Sequence, residues 1–227
     1  MMRVAILSDV HANLPALQAA LADLERRGAE VVLVAGDVVG DGRHPSEVVE
    51  MLRRRAIPTI RGNVERKVIE AAALADTELA LRTGKKKQAD LVWTARRLGP
   101  EGLEWLRALP ASLELHLAGA RLLLVHGSPL GDTDYVYPSL TAQALAAKLG
   151  TDRPDVLACG HSHIPFTRRI AGVSVVNAGS VGRPVDGDPR GSYALVDLDR
   201  GALPRARIVR FSYPSDGPAA DQASEPV

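Results

Sequence analysis

Residues 3–42 read RVAILSDVHANLPALQAALADLERRGAEVVLVAGDVVGDG, and this stretch decides the fold. Arg3 to Leu7 is a short apolar run of the kind that forms a buried strand. Asn13 is placed to cap a helix, and Pro15 falls in its first turn. Leu17, Leu21 and Leu24 share one face at helical spacing, and Gly28 ends the helix. Val31 to Ala35 is a second apolar strand. Strand, helix and strand in so short a span predict an α/β architecture with parallel neighbours.

Both strands run into polar residues, Asp9-Val10-His11 after the first and Gly36-Asp37 after the second. Further along, the same punctuation recurs as Gly62-Asn63, His126-Gly127 and Gly160-His161-Ser162-His163. A helix is predicted at Pro45 to Arg55 and a third strand at Ile57 to Ile60. From Val64 to Leu109 the chain turns Ala-, Leu- and Arg-rich with no strand pattern. It reads as a helical insertion anchored by Trp93, Leu98, Leu103, Trp105 and Leu106. Strands resume at Leu113 to Leu117 and Arg121 to Val125, and a helix follows near Thr141 to Leu149. The remaining strands are Val156 to Ala158, Val173 to Val176, Tyr193 to Asp197 and Ala206 to Phe211. These readings give one domain over residues 1–213 and a disordered tail over 214–227, where Pro, Ser, Asp and Ala dominate.

The 28 basic and 27 acidic residues nearly cancel, which argues against a dedicated nucleic-acid or membrane binder. No stretch approaches the roughly 20 apolar residues of a membrane span. The first apolar run is broken too soon by Asp9 and His11 to be a signal peptide, so a cytoplasmic protein is expected. The single cysteine, Cys159, excludes an intramolecular disulfide and reads as a small buried hydrophobe.

In open α/β sheets the ligand crevice lies at the carboxyl ends of the strands, so five sequence-distant motifs should converge there. Together they carry Asp9, His11, Asp37, Asn63, His126, His161 and His163. Imidazole suits manganese, iron, nickel, cobalt and zinc, and carboxylate adds compensating charge. Two divalent metals are therefore expected. Asp37 is the choice for a bridging carboxylate, because the preceding glycine allows close approach. In extended backbone, Asp9 and His11 would sit roughly 7 Å apart on one face, and His161 and His163 likewise near a turn. Two such ions bring about four positive charges, against about two from the aspartates and one from a bridging hydroxide. The surplus of about one matches the charge of a phosphodiester.

With these motifs quoted, the chain resembles the calcineurin-like metallophosphoesterase superfamily. The carriers are DVHAN (9–13), GDVVGDG (36–42), GN (62–63), HGSP (126–129), GHSHIP (160–165) and NAGSVGRP (177–184). The match runs from Asp9 to about Asp199 outside the insertion, and is nearest the small bacterial branch acting on small substrates. The resemblance implies a four-layer αββα sandwich of two mixed sheets flanked by helices. It implies one metal held by Asp9, His11, Asp37 and His163, with manganese first among the candidates. A second metal would be held by Asp37, Asn63, His126 and His161. Asn177 to Gly182 would form a structural loop beside the site. The implied reaction is hydrolysis of a small phosphate ester, with a metal-bridging hydroxide attacking phosphorus in line. Asp37, Asn63 and His126 would serve as catalytic residues, and Asn63 and Arg183 would contact the substrate.

One departure matters. The family motif continues with a histidine that protonates the leaving group, and this chain has Val64-Glu65 there. General acid catalysis is worth about 10²–10⁴-fold, so its loss favours diesters and esters with good leaving groups. His44 is a candidate substitute acid, although a histidine before Pro45 also suits an exposed helix start. The same departure keeps open a non-catalytic interaction module on this fold, as in a retromer subunit. A protein phosphatase is a third reading, weakened by the lack of long insertions. The insertion is read as a lid, a homo-oligomer surface or a partner site. Of the remaining residues, Lys85-Lys86-Lys87 suits a solvated helix end and His116 an outward strand position. Asp186 and Arg190 share the Gly/Pro-rich loop of Arg183.

Overall fold

The computed structural model describes residues 1–74 and 86–214. The opening stretch folds as the pattern dictates. Strand β1 (Met2–Leu7) leads to helix α1 (Leu14–Arg26), then β2 (Val31–Val34) and α2 (Pro45–Arg54). Asn13 Oδ1 accepts a bond from Ala16 N at 3.1 Å, which satisfies one of the donors left open at a helix start. Among the described residues, the insertion holds helices α3 (Asn63–Leu74) and α4 (Lys86–Ala108), followed by β3 (Ser112–Leu117) and β4 (Ala120–Val125). Helix α5 (Ala142–Leu149) precedes β5 (Val156–Cys159), β6 (Phe166–Ile170) and β7 (Val173–Asn177). Strands β8 (Gly191–Leu198) and β9 (Arg205–Phe211) complete the order.

Two mixed sheets result, in the orders β2-β1-β8-β9 and β3-β4-β5-β7-β6. The β1/β2, β4/β5 and β5/β7 pairs are parallel. Strand alternation builds the layers. In β1, Val4 and Ile6 face the second sheet, where they meet Leu122, Leu124, Val156 and Ala158. Ala5 and Leu7 point the other way, into a core with Leu17, Leu24, Leu52 and Leu106 of the helices. Leu157 and Cys159 of β5 face away from the first sheet, onto Leu145 and Leu149 of α5. The four-layer αββα sandwich follows from these three apolar seams.

Three sequence expectations need correction. Ile57 to Ile60 forms no strand; only Thr59 bridges to Val34. Pro58 has no N–H to continue a ladder, and Arg61 N turns to Pro110 O at 2.8 Å. Strand β6 went unread because FTRRI carries two arginines, and it lies at a sheet edge where only Phe166 and Ile170 are buried. Trp93 is not a core anchor. It is half-buried beneath Arg97, whose guanidinium carbon lies 5.8 Å from the ring centroid. Ala95, Leu98 and Leu106 carry the buried face of α4, with Leu103 and Trp105 packed at its margin. Gly99, at φ 63° and ψ −176°, breaks that helix before Pro100, which has no N–H to donate.

Cys159 is buried and His116 is exposed, as read. Lys85 and residues 215–227, which hold nearly all of the tail read as disordered, lie outside the described residues. Among the described residues no helix is long and apolar enough to cross a membrane.

One buried polar contact ties α1 to the first sheet. Tyr193 Oη donates to Asp23 Oδ2 at 2.6 Å, and Arg26 and Arg27 also bond that carboxylate. Burial pushes the Asp23 carboxyl up, but the tyrosine hydroxyl and the two guanidiniums outweigh it and hold it below its ordinary value. With a depressed folded value, this stabilisation is present above about pH 4 and is lost as pH falls further. Tyr193→Phe removes a bond to a charged acceptor, so a loss of about 1.5–3 kcal/mol is expected. Urea unfolding at pH 7 measures it; an unchanged midpoint would refute the role.

Candidate metal centre

The loops after β1, β2, β4 and β5, with the first residue of α3, bring all seven predicted ligands to one edge of the sandwich. They do so through unusual backbone. Asp9, His11, Asp37, His161 and His163 have φ of 55°, 49°, 50°, 63° and 57°. Side-chain-bearing residues seldom adopt that region, at a cost of about 1–3 kcal/mol each. This corrects the expectation of extended segments. The chain curls at each motif, so His11 Nε2 comes within 3.7 Å of Asp9 Oδ1. The same curl sends His161 and His163 to different groups.

The first group is Asp9, His11 and His163. Asp9 Oδ1 lies 3.1 Å from His163 Nε2, and the His11 and His163 Nε2 atoms are 3.2 Å apart. The second is Asp37, His126 and His161, with Asp37 Oδ2 at 3.4 Å from His126 Nε2. Asn63 Oδ1 adjoins this group, 3.0 Å from His126 Nε2. Asp37 stands between the two, its Oδ2 also 3.9 Å from His11 Nε2.

Outer contacts aim these side chains. His126 Nδ1 donates to Ala35 O and His163 Nδ1 to Arg183 O, both at 2.6 Å, which turns each Nε2 inward. Asp9 Oδ2 accepts from His161 N at 2.9 Å, and Asp37 Oδ1 from Val64 N at 2.8 Å. Two glycines permit the approach. A Cβ on Gly36, whose φ is +86°, would lie 2.6 Å from Gly62 N, and one on Gly160 would collide with Ser8 Oγ. Asn177 Nδ2 donates to Gly160 O at 2.8 Å and bonds Ser162 Oγ at 3.0 Å, bracing the loop of the two histidines.

The electrostatics favour cations. Burial pushes the Asp9 carboxyl up, but His11, His163 and His126 hold it well below its ordinary range. Burial alone would lower His126, yet Asp37 and Asp9 raise it to about 10. Asp9 Oδ1, His11 Nδ1 and His161 Nε2 are buried and make no hydrogen bond. Such atoms cost about 1–3 kcal/mol each unless something satisfies them. The carboxylate oxygens and imidazole nitrogens gathered in each of the two groups fit divalent ions, while His11 Nδ1 faces Asp41 Oδ2 at 3.5 Å.

Sequence reading missed three neighbours. Glu65 is fully buried and receives four backbone N–H bonds. Asp37 N at 2.8 Å and Gly62 N at 2.7 Å donate to Oε2, and Val38 N at 2.8 Å and Val39 N at 3.2 Å to Oε1. Burial and the Asp37 charge push its carboxyl up to about 7, while the Gly62 and Val39 N–H groups pull it down. Its signal was an acid three residues after Gly62, in reach of the turn N–H groups. Tyr135 stacks on His161 with centroids 4.4 Å apart, a contact that no local pattern announced. Lys67, one helical turn beyond Asn63, lines the cleft over the centre.

That cleft holds about 380 Å³ and is walled by Asp90, Leu91 and Thr94 of α4. Arg183 lines it and pairs with Asp41 at 3.2 Å. His44 is not among the lining residues. It stands at the N-terminal flank of α2, with Nδ1 3.8 Å from Glu47 Oε1. Asp186 and Arg190 are taken up by Arg210 and Asp188.

Residues 2–201 match the calcineurin-like phosphoesterase superfamily domain, and the chain belongs to that superfamily. Phosphodiesterase YfcE of Escherichia coli K12 is 28% identical over 200 residues, spanning 88% of this chain and 89% of YfcE. The crystal structure of a metallophosphoesterase from Sphaerobacter thermophilus superposes with a TM-score of 0.75 at 30% identity, over 94% of this chain and 89% of that one. Protein PH1004 of Pyrococcus horikoshii OT3 superposes at 0.81 with 26% identity, over the same shares of 94% and 89%. The chain is thus a phosphoester hydrolase by family, a family that implies divalent metal ions.

Proposed function

We propose that this chain is a dinuclear metal-dependent phosphodiesterase acting on small substrates. Asp9, His11 and His163 would hold one divalent ion, and Asp37, Asn63, His126 and His161 the other, with Asp37 reaching both. The observation that carries the reading is the pair of adjoining ligand groups with Asp37 between them. Manganese is the first candidate by family resemblance, and the imidazole and carboxylate donor set also suits iron, nickel, cobalt or zinc. When bound, such ions polarise a phosphoryl oxygen and make water a competent nucleophile near neutral pH.

The protein's own part is positioning. The carbonyls of Ala35 and Arg183 orient His126 and His163, and Glu65 clamps the Asp37 and Gly62 turns together. The α4 wall narrows the cleft toward small esters. Val64 lines the cleft where it offers no proton to a leaving oxygen. Diesters and esters with good leaving groups are therefore the expected substrates. The same residue favours a second reading, a metal-binding interaction module without turnover.

Bound metal and hydrolysis of bis(p-nitrophenyl) phosphate and of the monoester, with added Mn²⁺, test the choice. Turnover about tenfold faster on the diester is expected, a difference of about 1.4 kcal/mol in barrier. Chelation should remove it and Mn²⁺ restore it. Two bound ions with no turnover on either ester would favour the interaction module.

A further inference from the structure

Two cations line the cleft among the described residues, Arg183 and Lys67. The Arg183 guanidinium is answered by Asp41 at 3.2 Å. The Lys67 ammonium has no carboxylate within ion-pairing distance among the described residues. The acids nearest it in sequence are engaged elsewhere. Glu65 is turned into the backbone N–H groups of the Asp37 loop, and Glu70 pairs with Arg66 at 3.2 Å, as does Asp132 at 2.8 Å. Lys67 is half-buried, so its charge is less screened than that of a fully exposed lysine.

Position gives this charge a meaning. Lys67 follows Asn63 by four residues, so it shares that helix face and stands roughly 6 Å further along the axis. Asn63, Val64 and Lys67 line one continuous cleft. Moving from the metal centre along α3, a ligand meets an amide, an aliphatic side chain and then an ammonium with no carboxylate partner among the described residues. We propose that Lys67 receives a second anionic group of the substrate, a carboxylate or a further phosphate, a few bonds from the phosphorus bound at the metal centre. The inference rests on the phosphoesterase reading and narrows it. The preferred substrate is a small phosphate ester carrying an additional negative charge on the arm that lies against α3.

The test reads binding, so it does not depend on turnover. Dissociation constants are measured by calorimetry on the Mn²⁺-loaded protein for ethylphosphonate, 3-phosphonopropionate and ethylene-1,2-bisphosphonate. The wild type is expected to bind at least one of the two-anion ligands about tenfold more tightly than ethylphosphonate, the scale of a partly buried ion pair. The carboxylate arm and the bisphosphonate arm show which second group is preferred. Lys67→Met should erase that preference, and Lys67→Arg, which keeps the charge, should retain most of it. Manganese per chain is measured in each variant, so that a collapsed site is not mistaken for a lost cation. An equal preference in Lys67→Met, or none in the wild type, overturns the proposal. Hydrolysis of bis(p-nitrophenyl) phosphate by the wild type is followed alongside. Its absence would strike the enzyme reading alone and leave the binding result standing.

Discussion

Asp37→Ala is expected to remove metal-dependent turnover and to strip at least one divalent ion from the purified protein. The carboxylate is buried, with one oxygen 3.4 Å from His126 Nε2 and 3.9 Å from His11 Nε2. It stands between the two ligand groups, so on the proposed reading its loss removes a shared oxygen and leaves Asp9 as the one carboxylate of the seven ligands. The effect is also structural, because Asp37 Oδ1 accepts the Val64 N–H that starts α3. Removing a group that merely supports a metal ligand costs about 10–100-fold in metal affinity or activity. Loss of the proposed bridging ligand should exceed about 100-fold. His126→Ala should behave alike, since that ring touches both Asp37 and Asn63. Metal analysis and diester hydrolysis measure both effects. Purified Asp37→Ala with normal metal content and normal turnover would end the dinuclear reading.

Glu65→Gln should produce a large loss of stability for so small a change. Each carboxylate oxygen of Glu65 accepts two backbone N–H bonds, and they come from two separate loops. Glutamine replaces one oxygen by an NH₂ group that faces two donors. Two buried N–H groups then lose their acceptor at about 1–3 kcal/mol each. At about 2–4 °C per kcal/mol for a chain of this size, melting should fall by roughly 5–20 °C. The scan belongs at pH 8, above the value of about 7 to which burial and Asp37 raise this carboxyl. Metal affinity should weaken in parallel, because the same bonds set the position of Asp37. A melting temperature within a degree or two of wild type would mean that the two loops hold themselves.

The layers of the fold were legible because strand and helix periods are local. Val4 and Ile6 against Ala5 and Leu7 announce a strand buried on both faces, and Leu17, Leu21 and Leu24 announce the α1 face that covers it. Legibility failed where a local pattern was weak. Phe166–Ile170 pairs with β7 despite two arginines, since an edge strand needs only one buried face and a partner. Ile57 to Ile60 failed in the other direction, because its apolar residues mattered less than the N–H that Pro58 lacks.

The site divides along the same line. The identity of the ligands belonged to the sequence, since chemistry follows residue type and four of the five motifs close strands whose ends the α/β topology brings to one edge, Asn63 instead opening α3. Their arrangement belonged to the tertiary structure. Positive φ angles at Asp9, His11, Asp37, His161 and His163 are affordable only because the surrounding backbone over-determines them, through contacts such as Asp9 N to Gly36 O and His11 N to Asp37 O, both at 3.0 Å. Tyr135 owes its place at the centre to the docking of whole elements, a non-local event that residue spacing does not encode, whereas Glu65 and Lys67 follow Gly62 and Asn63 at helical spacing and needed only α3 to be seated at the centre.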